Sequence, residues 1–290
     1  MLLNNPTKVI RRVIIMANKQ KSEAETLSKE IVQYLGKRGI AYELHFTFDA
    51  DATLSIPADT DLAICLGGDG TVLSCSRLLH SHGIPMLAVN LGTFGFITEI
   101  SKHEWQEAFE LFESGKASIS RRLMVRVTVN RGSEKVFQSH GLNEITISSS
   151  GMAKMVQFDL YINQTNAGRF RSDGIIIATP TGSTGYSLAA GGPILDADLD
   201  ALIVNPICPF TLSNRPLVIA GEDVVRVVVP AGQKTALTLT VDGQVLFPLQ
   251  EGDVVTAEKS RSKATLVMSS HRNYYEVIRD KLNWSGGMHA

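Results

Sequence analysis

The chain has 290 residues, of which 44% are hydrophobic and 20% charged, and its net charge at pH 7 is −1. This length predicts one large domain or two ordinary ones with a sizeable core, and the composition excludes general disorder. A near-neutral chain lacks the basic face of a non-specific nucleic-acid binder. No apolar run is long enough to span a membrane, and residues 1–8 do not have the layout of a signal peptide. We therefore expect neither nucleic acid nor membrane as a partner.

The cysteines and histidines give no sign of a disulfide framework or a metal site. Cys65, Cys75 and Cys208 are odd in number and form no C-x-x-C pair. This usage favours a reducing cytoplasm over an oxidising compartment. The seven histidines include no pair at helical metal-ligand spacing, so we assign no metal ligands.

The first third of the chain alternates strand and helix signals. Apolar runs predict strands at residues 9–17, 42–48, 62–66 and 86–89. Helices are predicted to begin at Ser22 and at Val72. Ser22 and Glu25 have the spacing of a capping box, and Gly39 lies where the first helix should end. Strand, helix and strand in this order predict parallel βαβ units.

After about residue 120 the pattern changes to short strands separated by turn residues. Further strand-like runs are residues 123–130, 156–162, 174–178, 224–229, 236–241 and 254–258. Few helical patterns interrupt them, which predicts an antiparallel sandwich or barrel. We expect an N-terminal α/β domain over 1–120 and a β-rich, sandwich-like C-terminal domain over 121–272. Residues 273–290 return to helical character and are expected to pack on the first domain.

A glycine-rich segment, Leu66-Gly-Gly-Asp-Gly-Thr71, joins the third predicted strand to the second predicted helix. Glycines let a backbone approach a ligand closely, and a helix N-terminus offers free N–H groups to phosphate. Asp69 repels phosphate unless it works with Mg²⁺ or accepts a proton; the alternative is that it caps the helix. The segment is not a P-loop, because no Lys follows the glycines. It is not a dinucleotide fingerprint, because Leu73 replaces the third glycine.

A second glycine-rich segment, Asn90-Leu-Gly-Thr-Phe-Gly-Phe96, follows the next predicted strand. Loops at the carboxyl ends of parallel strands converge on the ligand crevice, so two such loops are hard to explain as turns alone. We expect Phe96 to pack in the core. Phe94 is left open between core packing and ligand contact.

A polar pair, Asn143 and Glu144, lies between the apolar residues Leu142 and Ile145. A carboxamide beside a carboxylate suits ribose hydroxyls or an amide-bearing ring. For the pair in isolation, a solvent-facing turn is the better-supported interpretation.

The longest motif runs from Arg171 to Pro193. Arg171 and Asp173 precede a buried strand, and residues 179–187 are rich in glycine and hydroxyl residues. This composition offers many hydrogen-bond donors at little steric cost, and it predicts a loop shaped around a polar ligand that enters a helix at Leu188. The G-x-S-x-G spacing of a serine hydrolase is absent.

A last motif, Asp242-Gly-Gln244, lies between two predicted strands. Taken by itself it predicts a tight hairpin turn.

In this order, the motifs resemble those of the NAD kinase family, including its bacterial, ATP-dependent members. Residues 209–216, PFTLSNRP, resemble a further block of that family. The resemblance covers about residues 10–270. It implies the two-domain NAD kinase-like fold and phosphorylation of the adenosine ribose 2′-hydroxyl of NAD by ATP, with Mg²⁺ as the divalent metal, to give NADP. It also implies a cytoplasmic homo-oligomer, either a dimer or a tetramer.

The resemblance assigns roles to individual positions. Asp69 matches the family's catalytic Asp, a general base for the hydroxyl proton. Substrate-binding positions implied in the same way are Gly67, Gly68, Gly70, Thr71, Asn90, Phe94, Asn143, Glu144, Lys154, Arg171, Asp173, Thr184, Gly185, Tyr186, Ser187, Leu188, Ala189 and Gln244.

The chain departs from the family pattern at three positions, and two other functions compete with this interpretation. Gly185 stands where Ala is more frequent, Phe210 where His is common, and Lys154 near a position that is His in close relatives. The ammonium of Lys154 could still reach a phosphate. One alternative is a lipid or sugar kinase that shares the GGDGT segment. The other is a non-catalytic sensor of NAD(H) or NADP(H), which would gain little from a carboxylate beside phosphates.

Overall fold

The computed structural model describes residues 9–46, 54–93, 95–151, 155–211, 213–233 and 235–284. The chain divides into two compact units, Met1–Arg121 with Ala264–Ala290, and Arg122–Lys263. The first is α/β and the second is β-rich, as the sequence predicts. None of the helices within these described ranges has the length and apolar character needed to cross a bilayer.

In chain order, the regular elements are β1 Arg12–Ala17, α1 Ser22–Lys37, β2 Ala41–Phe46, β3 Leu62–Gly67, α2 Asp69–Leu79, β4 Met86–Asn90, β5 Ile100–Ser101, α3 Trp105–Glu113, β6 Ile119–Arg131, β7 Glu134–Gly141, β8 Glu144–Ser149, β9 Val156–Ile162, β10 Thr165–Ser172, β11 Gly174–Ala178, α4 Tyr186–Ala189, β12 Ala201–Ile207, β13 Leu217–Ala220, β14 Val225–Val228, β15 Leu237–Val241, β16 Val245–Leu249, β17 Val254–Val267 and α5 Tyr274–Leu282. A 3₁₀ turn, Thr181–Thr184, precedes α4.

The first unit is built on a parallel sheet in the order β2-β1-β3-β4. The predicted parallel arrangement is therefore confirmed. Strands β3 and β4 are buried along their whole length, which is why they are continuously apolar rather than alternating. Helix α1 contributes Leu27, Ile31 and Leu35 to the core. The end of β17 also belongs to this unit, and Leu266 pairs with Met86 of β4.

The predicted capping box at Ser22 is wrong. Lys21 occupies the N-cap position of α1, and no side chain caps that helix. A capping box is present at α5 instead. The Asn273 side chain accepts the backbone N–H of Glu276, and the Glu276 side chain accepts the backbone N–H of Asn273. The spacing alone does not select a cap, because the residue must also leave the helix in an extended conformation, as Asn273 does.

Helix α3 has no counterpart among the elements predicted above. Trp105, Phe109 and Phe112 bury one face of it, at the spacing that marks a helix. Its amphipathic pattern was therefore available in the sequence.

The second unit contains a six-stranded antiparallel sheet in the order β13-β12-β11-β8-β15-β16. A further antiparallel array runs β10-β9-β14-β17, and β6 pairs with β17 and β7. One core takes residues from both sheets, including Val127, Ile147, Phe158 and Leu239. This is the sandwich-like arrangement that the alternating pattern predicts.

Six strands of this unit were absent from the predicted elements: β7, β8, β10, β12, β13 and β16. Strands β10, β13 and β16 lie at sheet edges. Edge strands bury little, so β10 is largely polar and β16 tolerates Pro248. The apolar periodicity that reveals a central strand is missing in such segments.

Candidate functional site

The β3–α2 junction is a close-packed glycine turn. Strand β3 ends at Gly67, Gly68 is the N-cap, and α2 begins at Asp69. A Cβ atom on Gly67 would lie 2.1 Å from Thr71 Oγ1, so no larger residue fits there. Gly70 is exposed, and the first N–H groups of α2 are therefore able to face a ligand.

The side chain of Asp69 does not cap α2, so the alternative interpretation as a helix cap is wrong. Its carboxylate instead reaches the second glycine-rich segment. Oδ2 accepts the backbone N–H of Phe96 at 2.8 Å. Oδ1 accepts the N–H of Ile97 at 3.2 Å, the N–H of Thr98 at 3.0 Å and the Thr98 hydroxyl at 2.9 Å.

The two oxygens of Asp69 are thus used unequally. Oδ1 carries three hydrogen bonds, whereas Oδ2 accepts a single one from the described part of the chain. A carboxylate oxygen has two lone pairs, so Oδ2 retains one that can accept a proton. Gly95 allows this close approach, because a Cβ atom there would lie 1.7 Å from Oδ1.

Asn90 holds the second glycine-rich segment in place. Its Nδ2 donates to the Thr98 hydroxyl at 2.8 Å and to the Thr93 carbonyl at 3.0 Å. Its Oδ1 accepts the Gly92 N–H at 2.7 Å. Phe96, expected in the core, is only half-buried, and Lys281 Nζ lies 4.9 Å from its ring centroid. The position of Phe96 is fixed by the hydrogen bond from its backbone N–H to Asp69 and not by packing in the core.

In the second unit, Asn143 and Glu144 lie at the start of β8. Glu144 is only 7% exposed, so the expectation of a solvent-facing pair is wrong for this residue. The turn is fixed by Asp242, whose carboxylate accepts the backbone N–H groups of Leu142, Asn143 and Glu144. The sequence motif around Asp242 is a hairpin turn, as predicted, but its carboxylate also serves this second segment.

The Glu144 carboxyl lies in an environment that disfavours charge. Burial raises its pKa, and the negative charge of Asp242 raises it further, while a hydrogen bond from the Tyr186 backbone opposes both. The pKa of Glu144 is raised to about 7. The carboxyl is therefore able to donate as well as accept a hydrogen bond near neutral pH.

The segment after β11 packs against the Asn143–Glu144 turn. The Thr179 N–H donates to the Asn143 carbonyl at 2.8 Å. A Cβ atom on Gly182 would lie 2.1 Å from that carbonyl, and one on Gly185 would lie 3.0 Å from Glu144 Oε2. Gly182 is thus required by its contact with the Asn143 backbone, whereas a Cβ atom on Gly185 would need the Glu144 side chain to move by only a few tenths of an ångström.

Asn205 is a supporting residue that the sequence analysis missed. It is fully buried in β12, and its Nδ2 donates to the Ser187 carbonyl at 3.0 Å and to the Ser187 hydroxyl at 3.3 Å. It therefore anchors α4. A single Asn in an otherwise apolar run was the available signal, since a buried amide needs partners.

Three buried polar atoms of the Asn143–Glu144 turn and of the segment after β11 have no hydrogen-bond partner in the described structure, and Asn205 Oδ1 in β12 is a fourth. The three are Asn143 Oδ1, Glu144 Oε2 and Thr181 Oγ1. Buried polar groups are nearly always paired, so several unpaired atoms in two adjoining segments indicate the place of a polar ligand.

The other predicted positions are placed as follows. Arg171 is exposed, with its guanidinium 5.3 Å from the Phe210 ring centroid, and Asp173 is half-buried. Tyr186 is 47% exposed on α4. Gln244 closes the β15–β16 hairpin. Phe94 and Lys154 lie outside the described residues.

No group of three or more His, Cys, Asp or Glu side chains able to hold a metal ion occurs within the ranges that the structure describes.

Comparison with known proteins adds independent findings. Residues 45–117 match the family model described as the ATP-NAD kinase N-terminal domain, and residues 142–269 match the ATP-NAD kinase C-terminal domain. A protein of Treponema denticola named NAD kinase is 38% identical over 96% of this chain and 98% of its own length. One of Geotalea daltonii with the same name is 36% identical over 95% and 99%.

Two solved structures are also similar. The crystal structure of yeast NADH kinase complexed with NADH superposes with a TM-score of 0.84 at 25% identity, over 99% of this chain and 89% of that one. An NAD kinase from Archaeoglobus fulgidus in complex with ATP gives a TM-score of 0.73 at 26% identity, over 94% and 99%.

Proposed function

The chain belongs to the NAD kinase family, and from this premise we propose that it transfers the γ-phosphoryl group of MgATP to the 2′-hydroxyl of the adenosine ribose of NAD. The new bond joins the ribose oxygen to phosphorus, and the bond from phosphorus to the β,γ-bridging oxygen breaks. The products are NADP and ADP, and the hydroxyl proton is removed by a base.

The observation that carries this proposal is the set of unpartnered buried atoms on Asn143, Glu144 and Thr181. A ribose offers vicinal hydroxyls, each of which donates one hydrogen bond and accepts others. Such a group would satisfy a carboxamide oxygen, a carboxyl oxygen and a threonine hydroxyl together. A lipid head group has no need of this arrangement.

Asp69 is proposed as the general base, with Oδ2 as the accepting atom. Oδ2 keeps an unused lone pair among the described contacts, whereas Oδ1 is saturated by the 97–98 backbone and the Thr98 hydroxyl. Because those contacts immobilise the carboxylate, Oδ2 can be held at a fixed position relative to a bound hydroxyl. Phosphate oxygens would bind at the glycine turn of Gly68 and Gly70, where the Thr71 N–H already donates to the Gly68 carbonyl at 2.9 Å.

Mg²⁺ is treated as arriving with ATP. This ion is usually bound by water, substrate phosphates and one or two carboxylates, so it needs no large cluster of protein ligands. The described residues contain no group of three or more His, Cys, Asp or Glu able to hold a metal ion, and the unused lone pair of Asp69 Oδ2 is assigned to the hydroxyl proton, so the phosphates of ATP would supply the metal's ligands. When bound, Mg²⁺ would neutralise phosphate charge.

The test is a two-stage assay. Purified protein is incubated with NAD, ATP and Mg²⁺, and NADP is then measured with a strictly NADP-dependent dehydrogenase. We expect product from the wild type and a loss of about 10²–10⁴ in kcat for Asp69→Asn, because the amide cannot accept the proton. Asp59→Asn, a change of an exposed Asp in the same unit, is the matched control and should keep full activity.

Each outcome of this assay has a clear meaning. Product from the wild type and from Asp69→Asn at similar rates would keep the activity and discard the base. No product from NAD, with ATP consumed when sugars or lipids are offered, would replace the proposed function by the competing kinase class. A cytoplasmic location and a homo-oligomeric state remain predictions. Light scattering on the purified protein would measure the oligomeric state.

A further inference from the structure

Asp242 is a buried carboxylate in a hairpin turn, where an Asp-Gly pair suits the positive φ but the turn does not require the charge. It lies at the tip of β15–β16 with φ of 51°, and only 6% of it is exposed. A turn with positive φ is served well by Asn or Gly. A carboxylate is costly to bury unless it is hydrogen-bonded, so its partners should reveal its use.

The Asp242 carboxylate binds the turn that carries the candidate substrate-binding residues. Oδ2 accepts the Leu142 N–H at 3.0 Å, and Oδ1 accepts the N–H groups of Asn143 at 2.8 Å and Glu144 at 3.2 Å. The Asp242 N–H in return donates to the Glu144 carbonyl at 2.9 Å. Four hydrogen bonds thus join a residue to a segment about one hundred positions away.

The packing leaves this carboxylate little freedom. A Cβ atom on Gly141 would lie 3.0 Å from Asp242 Oδ1, so the residue that precedes the Leu142–Glu144 turn has to be small. The side chains of Asn143 and Glu144 project from the backbone that is hydrogen-bonded to Asp242, and each has a polar atom without a partner in the described structure. Their orientation toward a ligand therefore depends on Asp242.

We propose that Asp242 is a positioning residue for the nicotinamide dinucleotide substrate, acting by fixing the Leu142–Glu144 turn so that Asn143 and Glu144 present their free polar atoms to a ribose. This inference rests on the proposed function for the identity of the ligand. Asp242 itself needs no contact with substrate.

The charge of Asp242 has a second effect on the same residue. Two groups act on the Glu144 carboxyl, the negative charge of Asp242 from the hairpin and the Tyr186 backbone N–H from α4. Asp242 is the charged one of the two. It adds to burial in raising the pKa of Glu144 to about 7, which keeps a proton on Glu144 over a wider pH range.

The test compares Asp242→Asn with Asp253→Asn. Asn tolerates positive φ, but its NH₂ group would face the Leu142 N–H, donor against donor, and the charge is lost. Asp253 is an equally buried carboxylate that holds another turn of the same unit, through the Gln250 N–H and Arg131. It is therefore a control for the general cost of losing a buried carboxylate.

The readout is the dissociation constant for NAD, measured by calorimetry without ATP from pH 5 to pH 9. We expect Asp242→Asn to weaken NAD binding about tenfold or more, from the lost acceptor. We also expect the pH midpoint of NAD affinity, near 7 in the wild type, to move toward the ordinary Glu value of 4.5. Asp253→Asn should reproduce the wild-type affinity and midpoint.

Unchanged affinity and midpoint in folded Asp242→Asn would overturn the inference, as would equal effects from Asp253→Asn. If Asp242→Asn does not fold, the wild type and Glu144→Gln are compared instead. A midpoint near 7 that disappears in Glu144→Gln supports the raised pKa of Glu144, to which the charge of Asp242 contributes, and its absence from the wild type overturns this charge effect. The NADP assay run beside these measurements separates the two failures, because a wild type that makes no NADP refutes the proposed function itself.

Discussion

The loop around Asp69 and the turn around Glu144 treat a carboxyl group in opposite ways. Asp69 is met by three backbone N–H groups and one hydroxyl. Glu144 is buried, has an oxygen without a partner and lies beside a second carboxylate. Four donors therefore hold the carboxylate of Asp69 in place, whereas the environment of Glu144 favours the protonated form.

The contrast shows how a chain assigns different tasks to similar groups. A charged carboxylate held by fixed dipoles suits proton acceptance at one defined oxygen. A carboxyl that is partly protonated near pH 7 suits hydrogen bonding to hydroxyls in both directions. The expected effects of the changes below decrease in order; the first three each test one side of this contrast, and the last tests a separate ion pair.

Gly95→Ala should do the most damage, because its Cβ would overlap the Asp69 carboxylate at 1.7 Å from Oδ1. Asp69 would have to leave its hydrogen bonds, and we expect kcat to fall by about 100-fold, as is usual when a reacting group is misplaced by about 1 Å. Gly92→Ala in the same segment meets only ordinary contacts, the nearest at 3.7 Å, and should cost far less. Equal kcat values for the two variants would contradict the proposed geometry.

Glu144→Gln should change the pH dependence of stability. Because the pKa of Glu144 is raised to about 7, the folded state binds more protons than the unfolded state between pH 4.5 and 7, and wild-type stability falls as pH rises through this window. The variant lacks this loss. We therefore expect the difference in the free energy of unfolding between variant and wild type to change in favour of the variant by up to about 3 kcal/mol from pH 4.5 to pH 8.

Urea titrations at pH 4.5 and pH 8 measure this difference. Asp253→Asn gives a control of opposite sign. Burial raises the pKa of Asp253, but hydrogen bonds from Arg131 and the Gln250 N–H outweigh it and lower the pKa below its ordinary value. That variant should lose stability at pH 8. A pH-independent difference for Glu144→Gln would contradict the raised pKa.

Thr98→Val tests the donors around Asp69. The hydroxyl of this fully buried residue donates to Asp69 and accepts from Asn90, and valine keeps the shape without the bonds. We expect a loss of about 1–3 kcal/mol in the free energy of unfolding, from the unpaired partners. Thr93→Val, an exposed position in the same segment, should change stability by less than about 0.5 kcal/mol. Denaturant unfolding of both variants decides, and equal losses would reject the role of the hydroxyl.

Glu104→Gln should have the smallest effect. Burial acts to raise the pKa of Glu104, but hydrogen bonds from Arg272 and Ser101 outweigh it and lower the pKa to about 2. The stabilisation is therefore present above pH 4.5 and is lost as pH falls through about 2. Since the pair is partly exposed, we expect a loss of about 1 kcal/mol at pH 7, seen as a lower Tm that approaches the wild-type value in acid. The same Tm at pH 7 would contradict the ion pair.

The structure also shows why sequence reasoning located some elements and missed others. Strands β3, β9 and β11 were predicted within a residue of their bounds, because β3 and β11 are buried apolar runs and β9 alternates apolar with polar residues. The predicted strand over 254–258 is only the start of β17, which continues to Val267. The later residues of β17 include several charged ones, so their composition does not indicate a strand. Pairing with neighbouring strands stabilises the extended conformation there.

By itself, the sequence determined the fold class and the motifs of a phosphate-accepting glycine turn and a polar ligand loop, because spacing and residue type set local conformation. Only the tertiary structure decided what each carboxyl group does. The partners of Asp69 lie 27 to 29 positions away, and those of Asp242 lie 98 to 100 positions away. Hydrogen bonding and burial are properties of the assembled chain, and they turned an expected helix cap and an expected solvent-facing pair into a held carboxylate and a buried acid.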